Sequence, residues 1–209
     1  MKEKIVSFLK KYVNFDFKST AIFILLTILA VTGVYLCGVR DIQENSLLEN
    51  TQLVALFFGI LFCLCPKNNK EYKVINILFA LIIFLFFMRE ISYGRVFFAQ
   101  IPGTYDFYPW SHYKYGYLAH VLVGIYIAAT ALYAICSKAF VKIWEAMQKT
   151  QVPFWNVVLL FSAIFVQLLA EKKLHDTVIE EMMELLMYCI IAYVVFVYNK
   201  SLCKQKPEE

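Results

Sequence analysis

The stretch "VINILFALIIFLFFMREISYGRVFF" covers residues 74–98, and the fold turns on whether it crosses a membrane. From Val74 to Met88 it carries one polar side chain, Asn76; Arg89, Glu90 and Arg95 then follow among aliphatic and aromatic neighbours. A bilayer core of about 30 Å takes roughly 20 helical residues, so this run spans it only if the charges lie just beneath the far surface. Four other runs are almost free of charge: Ser19 to Val39, Thr51 to Pro66, Tyr115 to Cys136 and Pro153 to Ala170. A sixth, Thr177 to Tyr198, has its charges in its first two turns. In lipid every backbone polar group must be satisfied within the span, which selects helices. The pattern predicts an all-α polytopic membrane protein with six transmembrane helices.

Composition agrees: 61% of the 209 residues are hydrophobic, 17% are aromatic and the mean hydropathy is +0.62, above the usual range of a soluble domain. Lysine sets the orientation. Segments 1–18, 66–73, 137–152 and 199–209 hold 14 of the 20 Lys and Arg residues and alternate correctly with six spans. The positive-inside rule puts them, and both termini, in the cytoplasm. The net charge of +4 is therefore a topology signal, with no nucleic-acid partner implied. Within 1–18, Ile5, Phe8, Leu9, Tyr12 and Val13 recur at helical spacing among lysines, which predicts an interfacial amphipathic helix. Residues 19–199 form the bundle and 200–209 a cytoplasmic tail. The first apolar run is too long for a signal-peptide core, and no A-x-A site follows it. The six cysteines include no C-x-x-C pair and read as packing residues.

At about 1.5 Å per residue, Arg89 and Glu90 lie about 22 to 24 Å along their span, several ångströms below the outer boundary. Entering from outside at Thr177, the last span carries Glu180 and Glu181 about 5 Å deep and Glu184 about 10 Å deep. His120, on the fourth span, and Gln167, on the fifth, reach a similar level. Charges inside a bilayer cost about 2.5 to 3.5 kcal/mol each on insertion scales and usually face a protein interior or a wet cavity. The spacing thus predicts a polar layer in which Arg89 and Arg95 oppose Glu90, Glu180, Glu181 and Glu184. Arg–Glu pairs that only lock helices together are the alternative.

Within that layer Glu90, Ser92, His120, His175, Glu181 and Glu184 are the catalytic candidates. Arg89, Arg95, Gln167 and Glu180 are the candidates for holding substrate. His120, His175 and Asp176 would be the ligands of a divalent metal, although no H-x-x-x-H or H-E-x-x-H spacing accompanies them. The plainer reading of "HDT" (175–177) is a helix start, with Asp176 or Thr177 as its cap. Ser92 has no G-x-S-x-G elbow around it, and a lone helical serine commonly bonds back to the backbone.

The segments "ENSLLEN" with Glu44 and Glu49, "REISYGR" with Arg89, Glu90, Ser92, Tyr93, Gly94 and Arg95, and "IEEMMELL" with Glu180, Glu181 and Glu184 resemble a group of bacterial multi-pass membrane proteins of unassigned activity. Tyr93 stands where Trp is common in that group, and Arg95 where Gln is. The resemblance implies a bacterial inner membrane and a site built on the second, third and sixth spans. The three histidines, Ser92 and Asp176 also bear a distant likeness to the alkaline ceramidase superfamily, which holds zinc in a seven-helix bundle. This chain departs from it in having six spans and no paired histidines on the last one.

The leading expectation is a membrane-embedded enzyme acting on a lipid or lipid-linked substrate. The arginines would bind an anionic headgroup, and a glutamate or His120 would be acid–base. A small proton- or cation-coupled transporter or channel component is the second expectation. A non-catalytic assembly subunit, pairing with a membrane-protein partner or a second copy, is the third.

Overall fold

The computed structural model describes residues 12–39, 46–64, 72–97, 99, 101–102 and 107–204. Among these the chain is all-α apart from one two-residue ladder and an isolated bridge residue, Phe107. The helices are α1 (Lys18–Leu36), α2 (Leu47–Leu64), α3 (Lys73–Glu90), α4 (Tyr117–Cys136), α5 (Ala139–Lys149), α6 (Phe154–Leu169) and α7 (Thr177–Lys204). Five stretches, Lys18–Leu36, Leu47–Leu64, Tyr117–Cys136, Phe154–Leu174 and Thr177–Ser201, are long and apolar enough to cross a membrane. With 18 residues α3 matches α2 in length, but Lys73, Arg89 and Glu90 at its ends keep it out of that set.

Helix ends follow local chemistry. α3 stops where Ser92, Tyr93 and Gly94 all take positive φ (48°, 53° and 95°), a left-handed reversal that only the glycine adopts without steric cost. α6 loosens into a π-helical turn, Ala170–Leu174. His175 then turns left-handed at φ 50°, and Asp176 Oδ1 accepts the Ile179 N–H at 3.1 Å to cap α7. The capping alternative for "HDT" therefore holds, with Asp176 as the cap.

α7 is the axis of the bundle. It packs against α2 and α6 and touches α1, while α3 lies on α2 and α4 lies outside α3. In lipid, helix association rests on close packing and small interfacial residues, and the buried set fits: Ala80, Ala134, Ala139, Ala146, Ala163 and Cys63. Leu56, Ile83, Met187, Tyr188 and Val195 join Cys63 and Ala80 in the central cluster. By contrast α1 and α4 leave long apolar faces exposed, including Leu25, Leu29, Leu122 and Ile125.

Spans consecutive in the chain reverse direction, so α2 and α7 run parallel, with Gln52 beside Glu181 at one end and Phe62 beside Asn199 at the other. At one end Tyr72, Ile75 and Ala146 cluster with Tyr198, and Asn199 donates to the Phe62 carbonyl. There too Val13–Asn14 (β1) pairs in parallel with Val152–Pro153 (β2), and buried Asn156 ties Ser19 and Thr20 of α1 to α6. The described parts of the four lysine-rich segments lie at this end. At the other end the Tyr35 hydroxyl donates to Asp176 at 2.6 Å.

Some boundaries differ from the sequence reading. Val13, expected on an amphipathic helix, is in the ladder, because Val152 offers its extended backbone a partner. α7 runs on to Lys204, past the expected start of the tail. Cys63 is buried as a packing residue should be, but Cys37 and Cys136 are exposed. Ile5, Phe8 and Leu9 of the interfacial helix, together with Arg40, Glu44, Cys65 and residues 205–209, lie outside the described residues.

Candidate functional site: a polar cleft at one end of the bundle

α7 supplies the backbone of the site. Glu181, Glu184 and Tyr188 stand at i, i+3 and i+7, one face of one helix. Each meets a different neighbour. Glu181 Oε2 accepts from Gln52 Nε2 of α2 at 2.8 Å, and the same nitrogen donates to the Glu181 backbone carbonyl at 3.0 Å. Glu184 Oε1 accepts from Gln167 of α6 at 2.8 Å and from Arg89 of α3 at 2.5 Å. The Tyr188 hydroxyl donates to Glu90 at 2.6 Å and accepts a longer bond from Arg89 at 3.4 Å. Three helices, α2, α3 and α6, therefore converge on three side chains of α7.

Burial grades the set from floor to mouth. Tyr188 and Gln52 are 0% exposed and Glu184 is 2% exposed, whereas the Arg89 side chain is 47% exposed. Above them is a half-open cleft of about 180 Å³, lined by Glu49, Arg89, Glu90, Ser92, Phe107, Glu181 and Glu184. Phe107 arrives from the α3–α4 connection, where Tyr108 N–H bonds Ala99 and Ala99 N–H bonds Arg95. The left-handed turn at Ser92 to Gly94 folds that connection back over α3. Gly116 closes its far side: its backbone lies so near the Trp110 carbonyl that a Cβ would overlap it.

The candidates separate cleanly. Arg89, Glu90, Ser92, Glu181 and Glu184 line the cleft, and Gln167 stands behind it on Glu184. Glu180 and Arg95 are not in the lining; Arg95 instead places its guanidinium 6.0 Å from the Phe107 ring. His120 is exposed on α4 and is also outside the lining, because α4 packs chiefly on α3 and α5 and not on α7. His175 is exposed in the α6–α7 turn, and Asp176 is engaged as cap and Tyr35 acceptor. The expected metal set of His120, His175 and Asp176 is therefore corrected: no group of three or more His, Cys, Asp or Glu able to hold a metal ion forms among the described residues. A shared depth does not bring residues together when their helices are not neighbours.

No protein-family model, curated protein or solved structure matches the chain.

The chemistry must then be argued from the site alone. Glu184 faces a cation and an amide, Glu181 an amide and Glu90 a phenol. Carboxyl groups set side by side with unequal partners are how one site separates acid from base roles. Gln52, Tyr188, Glu49 and Phe107 were not among the predicted site residues. Two left a signal: Gln52 is a lone amide in an apolar span three residues after Glu49, and Tyr188 continues the Glu181–Glu184 stripe. Phe107 left none, since its place depends on how a long connection folds.

Proposed function

We propose that the chain is a six-span protein of a bacterial cell membrane with both termini cytoplasmic, acting as a membrane-embedded enzyme on a lipid or lipid-linked substrate through a cleft on the outer face. The observation that carries this reading is the polar cleft itself, with Arg89 and Glu90 of its lining both bonded to buried Tyr188. The apolar cluster of Leu56, Ile83 and Met187 lies around that residue. A ligand entering beside Arg89 would meet carboxyl groups set against a buried apolar cluster, which suits binding and chemistry. Arg89, half exposed at the mouth, is placed to meet an anionic headgroup. Glu181 and Glu90, each facing a neutral donor, are the groups to exchange a proton with substrate. α3 joins the spans in this reading because its apolar run ends in charges that the cleft keeps from lipid.

Orientation is checked with Leu174→Cys and Met147→Cys, each placed in a chain whose native cysteines have been replaced. An impermeant maleimide should label position 174 in intact cells and position 147 only after permeabilisation; the opposite pattern overturns the topology. Function is checked by profiling extracted lipids and lipid-linked species from cells with and without the protein. Expression of Glu181→Gln or Glu90→Gln should leave the deletion profile largely uncorrected, with turnover lowered about 100-fold or more. Full correction by both variants would sink the acid–base reading.

The excess of carboxylates over guanidinium in the lining favours a second reading, a proton- or cation-coupled transport component. Flux of protons or sodium into proteoliposomes, lost in Glu181→Gln, would select it over the enzyme.

A further inference from the structure

Away from the cleft, α5 carries three stripes of different chemistry. Ala139, Ile143 and Ala146, at i, i+4 and i+7, pack on α3 and α4, and both alanines are 0% exposed. Roughly a third of a turn round the helix, Phe140 and Trp144 stand 69% and 61% exposed, with Val141 beside them. Lys138, Lys142, Glu145 and Lys149 follow one another at i, i+4, i+7 and i+11 on the remaining side. An apolar stripe next to a lysine stripe is the pattern of a helix at a bilayer surface. The packed stripe says where α5 sits. Ala139 clusters with Leu78, and Ala146 with Tyr72 and Ile75. Leu78 is six residues beyond Tyr72, about 9 Å along α3. The helix therefore descends beside the first turns of α3, and its last turn comes level with the start of that helix.

The same end of the bundle carries aromatic rings and further lysines. Phe17 meets Trp155 edge-on at 5.6 Å, Phe15 meets Phe154 at 5.4 Å, and Lys18 and Lys73 open α1 and α3. Aromatic rings beside lysines mark the headgroup level of a membrane protein. A second copy of the chain suits the face less well, because a two-fold contact through Phe140 and Trp144 would set the lysine stripes of both copies side by side. We propose that α5 is an anionic-lipid anchor. Phe140 and Trp144 enter the boundary between headgroups and acyl chains, and Lys138 and Lys142 hold the phosphate of an anionic phospholipid such as phosphatidylglycerol. Lys138 is set for this by its backbone, which turns left-handed at φ 53° and starts α5 with the lysine exposed. The proposal rests on the chain lying in a membrane and not on the cleft, none of whose lining residues belongs to α5.

The test follows Trp144 fluorescence in the full-length protein, reconstituted into vesicles of phosphatidylcholine and phosphatidylglycerol with one or the other brominated on its acyl chains. Trp110→Phe with Trp155→Phe leaves Trp144 as the reporter. The quenching lost on Trp144→Phe in the otherwise native chain reads the same contact a second way. Each brominated lipid should quench Trp144 well beyond its unbrominated form. In mixtures, phosphatidylglycerol should be preferred over phosphatidylcholine about fivefold at low salt, the preference that one lysine near an anionic surface confers. Lys138→Gln combined with Lys142→Gln should bring that ratio below about twofold. Sodium chloride at about 1 M, where the screening length is about 3 Å, should do the same without any variant. Absence of quenching by either lipid overturns the proposal, and a dimer cross-linked through Phe140→Cys would then assign the face to a second copy. A ratio near one, or a ratio that the double variant and high salt both leave unchanged, overturns the anionic preference. Neither failure touches the lipid-profile experiment on the cleft.

Discussion

Arg89→Ala is expected to destabilise the bundle by about 3 kcal/mol, the lower end for breaking a buried ion pair from one side. The Glu184 side chain is 3% exposed and would keep only the Gln167 amide. Tyr188 would lose its contact with the guanidinium as well, though it still donates to Glu90. The lower end applies because Arg89 is 47% exposed, so water already shares in solvating the guanidinium. Arg89→Met combined with Glu184→Gln should recover most of the loss, since it removes both charges and leaves an amide able to pair with Gln167. Unfolding in bicelles of four proteins, the wild type, Arg89→Met, Glu184→Gln and the double variant, gives the coupling energy, expected at about 1.5 kcal/mol or more. A single-variant loss under about 0.5 kcal/mol would mean that the pair does not hold α3 to α7. The same four proteins bear on function. If the double variant restores stability but not activity, the charges serve a ligand; if it restores both, they serve only the fold.

The helices were readable because lipid imposes one simple demand, a long apolar run, and five of the six predicted runs meet it outright. The third was legible as a helix end because Arg89 and Glu90 fall where depth arithmetic places a boundary. What sequence did not carry was adjacency. Arg89, Glu90, Gln167, Glu181, Glu184 and His120 were assigned to one layer by depth, but depth says nothing about angle around the bundle axis. Five of them sit on helices that touch α7 or belong to it, or on α3 beside it, and come together. His120 sits on α4, whose place outside α3 depends on packing that no local pattern encodes. Tyr188 shows the opposite lesson. Read as one aromatic among many, it is as fully buried as any polar group of the site, and only its seven-residue spacing from Glu181 marked it. The ladder between Val13–Asn14 and Val152–Pro153 is a contact across more than 130 residues of chain between segments without strand periodicity.

Gly59 tests the packing that places the site. It sits on α2 where that helix meets both α3 and α7, and a Cβ built there would lie 3.4 and 3.5 Å from two Ile83 carbons and 3.6 Å from the Ala192 Cβ. Those are ordinary van der Waals distances, so Gly59→Ala should be tolerated. It should even stabilise, by up to about 1 kcal/mol, through better helix propensity. Gly59→Leu must fit three more carbons against Ile83 and Ala192, which are 2% and 8% exposed. Overpacking of that kind costs about 1 to 3 kcal/mol and sometimes more, and the tight three-helix junction puts this case at about 3 kcal/mol. The strain should also reach the cleft. Gln52 is seven residues before Gly59, about 10 Å up the same face, so moving α2 outward pulls the amide from Glu181. Unfolding measurements should therefore separate the two variants by at least about 3 kcal/mol. Equal stability of the two would mean that α2 does not cross α3 and α7 at Gly59, and the Gln52–Glu181 contact would lose its structural basis with it.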